Sequence, residues 1–274
     1  MTLLLLTSLL VLAAPGPLPQ GPVLACEDTM HTEVPEVLVT APRVTLDEIL
    51  DRVARGEARR DSLMHDQVFT AALRVFHRPR GSRETQLYEE SVWRVYKRKP
   101  ASVRALLLRK TRGPSAPKDK GDDDDDAEFT PSMSEEAATF AFRAEARRDY
   151  RYHIVGRDLL GDHVVYRIAF EPRTPSDLSR PTGLVWIDTN DFVVVRQEIT
   201  FPRSPIPLFV RSLDRMVIER SRVDSVWVMK RMVMRARLTM SVPKFGNAVE
   251  FAILFDDYAI NRGVPDSVFT MRPK

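Results

Sequence analysis

The chain has 274 residues, with 41 Lys or Arg against 38 Asp or Glu, so the net charge is only +3. The pI near 9.1 reflects that small excess and not a basic stripe of the kind nucleic-acid binding needs. Hydrophobic residues make up 43%, which excludes a wholly disordered chain and leaves room for one large β domain or two small ones.

Residues 1–14 are apolar apart from Thr2, Thr7 and Ser8, and Pro15-Gly-Pro-Leu-Pro19 ends the run. A membrane-spanning helix needs about 20 apolar residues, so this stretch is too short. Residues 1–25 are expected to be a secretory signal peptide, although no Lys or Arg precedes the run. The chain is then exported, to the periplasm or into association with the outer membrane. Cys26 is the only cysteine and cannot form an internal disulfide. Val23-Leu-Ala-Cys26 resembles a lipobox, in which the cysteine is acylated. Leu24 is unusual there and the Pro-rich gap is long, so an ordinary cleavage site is the preferred reading.

Residues 26–44 are polar and punctuated by Pro, and are expected to be an extended linker. Within them, Glu36-Val-Leu-Val-Thr-Ala41 looks like the box by which outer-membrane receptors engage an energy-transducing partner. No plug or large barrel pattern follows, so a linker or edge strand is preferred.

Thr45-Leu-Asp-Glu48 is a capping box that opens a helix over 45–63. Leu46, Ile49, Leu50 and Val53 form its apolar stripe. Arg52, Arg55, Arg59 and Arg60 lie toward its end and read as a solvated face. From Gln67 the period changes to two. Phe69, Ala71, Leu73 and Val75 share one face, and Ser91, Trp93 and Val95 share a face of the next strand. A Leu-rich third strand over 102–110 completes an antiparallel meander.

Residues 111–134 break the composition with Gly, Pro, Ser, Lys and the run Asp122 to Asp126. Adjacent carboxylates repel, so a surface loop is expected. The run lacks the alternate spacing and Gly turn of a calcium loop. A short helix followed by irregular chain is expected over 134–148.

Residues 150–156 and 163–171 read as two strands joined by Asp158-Leu-Leu-Gly-Asp162. Residues 184–201 then read as one hairpin whose tip, Asp188-Thr-Asn-Asp191, suits left-handed backbone angles. Val193, Val195, Ile199 and Phe201 fall on one face, and Arg196, Glu198 and Thr200 on the other. A further hairpin turns at Arg222-Val-Asp224, with Val226, Val228, Met232, Met234, Ala236, Leu238 and Met240 in phase. Val249, Phe251, Ile253 and Phe255 line the last strand, and Phe269 is expected as a plug.

The five His are scattered and are expected at surfaces or strand ends; pairing about Leu160-Gly161 sets His153 near Ile168 and His163 near Asp158. No G-x-S-x-G elbow, Walker A loop or H-E-x-x-H helix occurs. The sequence therefore offers no chemical centre, and neither an enzyme nor a cofactor is expected.

Tyr152-His-Ile-Val-Gly-Arg157, the strand from Val164 to Phe170 with Glu171-Pro-Arg173, Val185-Trp-Ile-Asp188 and Arg196-Gln-Glu198 resemble segments of the LolA-like lipoprotein-sorting superfamily, which includes RseB-type sensors. Asp224-Ser-Val-Trp-Val-Met-Lys230, Asp256-Asp-Tyr-Ala-Ile-Asn261 and Pro265-Asp-Ser-Val-Phe269 extend the resemblance. It covers roughly 45–269; the acidic insertion has no place in the family pattern.

The resemblance implies a mainly β fold with few helices: a curved, unclosed antiparallel β-barrel, or half-barrel, lidded by helices over 45–274. It implies a hollow apolar interior that binds lipid or lipoprotein acyl chains, with a membrane-protein partner in the envelope and no nucleic acid. The expected lining is Phe69, Leu73, Val75, Trp93, Ile168, Phe170, Trp186, Met232, Met234, Leu238, Met240, Phe251 and Ile253. Met suits such a surface because its thioether adapts to chains of varied shape. An RseB-type sensor and an anchored structural lipoprotein are the alternatives.

Overall fold

The computed structural model describes residues 44–270, less 80, 115, 117–141, 143–145, 175–179, 202–209 and 243–245. The chain divides into two units, residues 1–32 and 33–274, and every described residue belongs to the second. Cys26, the segment 36–41, the acidic run 122–126 and the helix expected after 134 lie outside the described residues.

One helix, α1 (Leu46–Leu63), precedes ten strands. They are β1 (Asp66–Arg78), β2 (Gln86–Arg98), β3 (Ser102–Arg112), β4 (Tyr150–Leu160), β5 (His163–Pro172), β6 (Thr182–Asp188), β7 (Val194–Thr200), β8 (Val210–Val223), β9 (Val226–Val242) and β10 (Gly246–Ile260). A short helix, α2 (Asp266–Thr270), follows. All ten strands form one antiparallel sheet in the order β3-β2-β1-β10-β9-β8-β7-β6-β5-β4. The sheet is open and curved, mainly β and lidded by helix, as the sequence implied. Its one non-sequential pairing is β1 with β10, which leaves β3 and β4 as the outermost of the described strands.

Strand directions alternate across this order, so the two ends of the sheet differ. The β2–β3, β4–β5, β6–β7 and β8–β9 turns and the C-terminus of α1 gather at one end, here the lower. The longer connections, including the chain from β3 to β4, leave from the upper end.

Each element has a local cause. Thr45 Oγ1 accepts from Glu48 N and caps α1, while the Glu48 carboxylate pairs with Arg52 and does not reach back. At the β4–β5 turn the hinge is Gly161-Asp162, with Gly161 at φ 63. That extends β4 to Leu160 and sets His153 opposite Ala169 and His163 opposite Leu160, a correction to the expected pairing. Asp224 takes φ 54 at the β8–β9 turn.

Two features of the β6–β7 hairpin redirect side chains. Trp186 pairs with Arg196 and Ile187 with Val194, so Val195 is the extra residue of a bulge. Val193 and Val195 therefore pack with Trp186, Val165 and Trp227, while Val194 and Ile199 join the core beneath α1. This corrects the single apolar face expected for Val193, Val195, Ile199 and Phe201. The hairpin tip also departs from expectation. The left-handed residue is Phe192, at φ 53, and neither Asn190 nor Asp191. Its ring lies under Arg52 of α1, 5.1 Å from the guanidinium carbon, which fixes the tip against the helix.

The outer face carries a network of ion pairs beside the second apolar cluster. Arg196 reaches Glu198 at 2.5 Å and Glu219 at 2.7 Å, Arg231 reaches Glu219 at 2.9 Å, and Arg215 reaches Glu198 at 2.8 Å. Farther along, Arg235 pairs with Glu250, and Arg74 and Arg109 share Glu90. Burial alone would raise the Glu198 carboxyl, but Arg196 and Arg215 outweigh it and hold it below its ordinary 4.5. A depressed folded-state value adds stability above the unfolded pKa that is lost as pH falls through the folded one. The urea midpoint should therefore drop below about pH 5, and Glu198→Gln should flatten part of that drop. A Gln variant with an unchanged pH profile would contradict the assignment.

Candidate apolar binding face

The inner face of the sheet is one apolar field with two unequal halves. Under α1 the lower half is packed to the exclusion of solvent. Ile49 and Val53 of the helix meet Phe69, Val95, Ile168, Val185, Ile187, Ile199 and Ile218, all buried. Phe142, from the chain joining the two sheet edges, adds to this cluster and packs edge-on against Phe170 at 6.2 Å. The interior is thus not hollow throughout: beneath α1 it is filled by the chain's own side chains.

The helix is fixed there. Glu57 Oε1 accepts from Arg220 Nη1 at 2.7 Å and from Val194 N at 2.9 Å. The Arg220 side chain is 1% exposed and that of Glu57 14%. Arg60 Nε donates to Trp227 O at 2.5 Å, and Arg59 Nη2 donates to Asp191 O at 3.1 Å. The expectation of a solvated basic end holds for the exposed Arg55 and Arg59, although Arg59 also reaches the β6–β7 tip. It is corrected for Arg60, which is buried and docks the helix onto β9, and for Arg52, which caps Phe192. Gly56 makes the close approach possible, because a Cβ there would collide with the Asp191 and Phe192 carbonyl oxygens.

Toward the upper end the same face loses this cover. Leu73, Trp93, Met232 and Met234 pack against the buried cluster but stay partly exposed. Val75, Leu238 and Phe251, in a neighbouring cluster with Leu213, Ala236 and Val249, do the same. Register places these side by side: Leu73 opposite Ile253 and Ser91, Val75 opposite Phe251, Phe251 opposite Met234, and Ile253 opposite Met232. Trp93 Nε1 donates to Ser91 Oγ at 3.0 Å, so the indole's polar atom is satisfied and its ring faces the apolar field.

Of the residues expected to line an apolar site, the structure brings Phe69, Leu73, Trp93, Ile168, Phe170, Met232, Met234 and Ile253 into one cluster. Val75, Leu238 and Phe251 adjoin it, linked through Met234. Phe69, Ile168, Phe170 and Ile253 are buried, while the others reach the partly open half. Two stand apart. Trp186 lies in the second cluster, its Nε1 donating to Asp158 Oδ2 at 3.1 Å, because Val185 and not Trp186 is the residue opposite Ile168. Met240 is 75% exposed near the end of β9. Phe269 is no plug: it is half-buried, with Arg98 stacked on its ring at 4.8 Å.

Several inner-face residues lie outside the expected lining. Met216 and Ile218 of β8 and Tyr152 and Tyr166 complete the field. Their alternation was legible, but the pairing that places them on this face was not. Burial pushes the Tyr152 phenol well above its usual range, with Tyr150 adding to the effect, so it stays neutral.

The titratable groups form no reactive constellation among the described residues. His163 Nδ1 lies 3.1 Å from Asp188 Oδ2, whose other oxygen accepts from the Asn190 and Asp191 amides and shapes the turn. His77 stands at the end of β1, as expected of a strand-end histidine, but is buried there against the Tyr88 ring. Among the described residues no group of three His, Cys, Asp or Glu side chains is placed to hold a metal. Nor is any helix among them long and apolar enough to cross a membrane.

No family model matches the chain, and no curated protein matches it. Solved structures similar to it include a DUF1329 family protein from Desulfovibrio piger, at 12% identity over 82% of this chain and 96% of that one, with a TM-score of 0.39. A LolA superfamily protein from Nitrosomonas europaea is similar at 16% identity over 83% and 98%, with a TM-score of 0.32. The MucA/MucB complex of Pseudomonas aeruginosa gives 10% identity over 81% and 94%, with a TM-score of 0.23. The structural neighbours thus include the group whose segments the sequence resembles.

Proposed function

We propose that this is an envelope protein that holds the acyl chains of a lipid or lipoprotein on the upper half of its inner sheet face, without catalysis. One observation carries the reading: a contiguous apolar field that is filled and clamped at one end and only partly covered at the other. A sheet face of this kind needs a partner for the area that the chain does not cover. An acyl chain laid there gains about 0.8 kcal/mol for each CH₂ buried. Met232 and Met234 sit at the centre of the open half, where adaptable side chains suit a ligand of variable shape. The leader-like residues 1–25 supply the route to the envelope.

Protein purified from envelope should show co-purifying lipid by native mass spectrometry and should take up a fluorescent fatty-acyl probe saturably. Met234→Glu puts a carboxylate into the field at a partly exposed position. It should weaken probe uptake at least about tenfold, from the cost of burying that charge, and change the melting temperature little. A clean apo mass together with no uptake by the wild type would overturn the reading. Labelled palmitate on Cys26 would make the protein an anchored binder and not a shuttle.

A further inference from the structure

We propose that the β3 edge is where this protein meets an anionic bilayer surface, so that acyl chains cross that edge to reach the inner face; this rests on the acyl-chain reading above. β3 is one of the two outermost of the described strands, and the short helix α2 comes up against it. Val103, Leu107 and Leu108 on it are 46%, 44% and 59% exposed. The strand's own sequence, SVRALLLRKTR, holds Arg104, Arg109, Lys110 and Arg112 and no acid. Glu90 of β2 is shared between Arg74 and Arg109, and Glu89 takes Lys110 at 3.5 Å. Arg112 pairs with no carboxylate among the described residues.

Local geometry favours a lipid surface over an added strand. The β2–β3 register shifts between Val92 and Trp93: Val92 pairs with Arg109 and Trp93 with Leu107. Leu108 is therefore the extra residue of a bulge at mid-edge. A bulge and a row of cations are devices that discourage strand addition. The same bulge leaves two adjacent leucines exposed beside the cations, the combination that seats an aliphatic group among anionic headgroups. Continuity with the open field supplies the route: Leu107 is opposite Trp93, which is opposite Ala71, two positions along the strand from Leu73.

The full chain is floated with vesicles of phosphatidylethanolamine and phosphatidylglycerol, and with vesicles of phosphatidylcholine alone. Wild type should float with the anionic vesicles, less so at raised salt, and weakly with the neutral ones. Leu107→Glu with Leu108→Glu should cut binding at least about tenfold and leave uptake of the soluble acyl probe unchanged. Ile154→Glu with Leu159→Glu, on the opposite edge, should float as wild type does. Wild type that takes up the probe but fails to float overturns the docking edge and leaves the acyl reading standing. Flotation that survives the β3 changes also overturns it. Self-association without lipid that those changes abolish would assign the edge to a second copy of the chain and overturn it too. Loss of probe uptake by the wild type itself would remove the acyl reading, and the proposal with it.

Discussion

Arg220→Met should lower unfolding stability by about 3 kcal/mol or more, one of the largest effects of any single change in this chain. Arg220 is the buried cation that answers Glu57, and together they pin α1 to β7 and β8. Without the guanidinium, Glu57 keeps only the Val194 amide at 2.9 Å and Arg60 at 3.7 Å. A carboxylate left there, mostly out of water and without its nearest cation, is poorly compensated, which is why breaking a buried pair costs more than the pair contributes. Glu57→Leu combined with Arg220→Met removes both charges and should recover half or more of the loss. The recovery is incomplete because Val194 N then has no acceptor. Urea unfolding of the two single variants and the double closes the cycle. Additive losses would show that the pair is not coupled and that α1 is held by its apolar stripe alone.

Gly56→Ala should also destabilise, against the sign that helix propensity gives. In an exposed helix this change stabilises by about 1 kcal/mol. Here the added methyl meets the carbonyl oxygens of Asp191 and Phe192, backbone atoms that cannot rotate away. The helix must rise off the hairpin tip, which loosens the contacts of Arg52 and Arg59 there. Overpacking of this kind costs about 1–3 kcal/mol. A higher melting temperature for the alanine variant would mean that the tip gives way and that α1 is not seated by this contact.

Much of the architecture was readable because its physics is local. Period-two stretches such as Phe69 to Val75 and Val249 to Phe255 became strands with the expected face inward. Thr45 capped its helix because the cap needs only neighbours three residues on. What failed to show was set by partners far along the chain. Nothing in β1 announces that it pairs with β10. The loop between β5 and β6 hides their register, so Trp186 and Val185 could not be told apart as inward residues. The bulge at Val195 shifts which side chains face in, and a bulge is invisible to counting by twos. Arg60 looked like part of a solvated face because it finds its acceptor 167 positions later. The apolar site was legible as a set of residues but not as two halves, since only packing shows which half α1 fills.

The three tryptophans provide a direct test. Trp93 stands in the open field, while Trp186 and Trp227 lie in the separate second cluster. A fatty acid brominated along its chain should quench the Trp93 emission on binding and leave the other two bright, and Trp93→Phe should abolish that quenching while still taking up the acyl probe. Quenching that persists undiminished in Trp93→Phe, or none in the wild type at saturating fatty acid, would contradict acyl binding at this face.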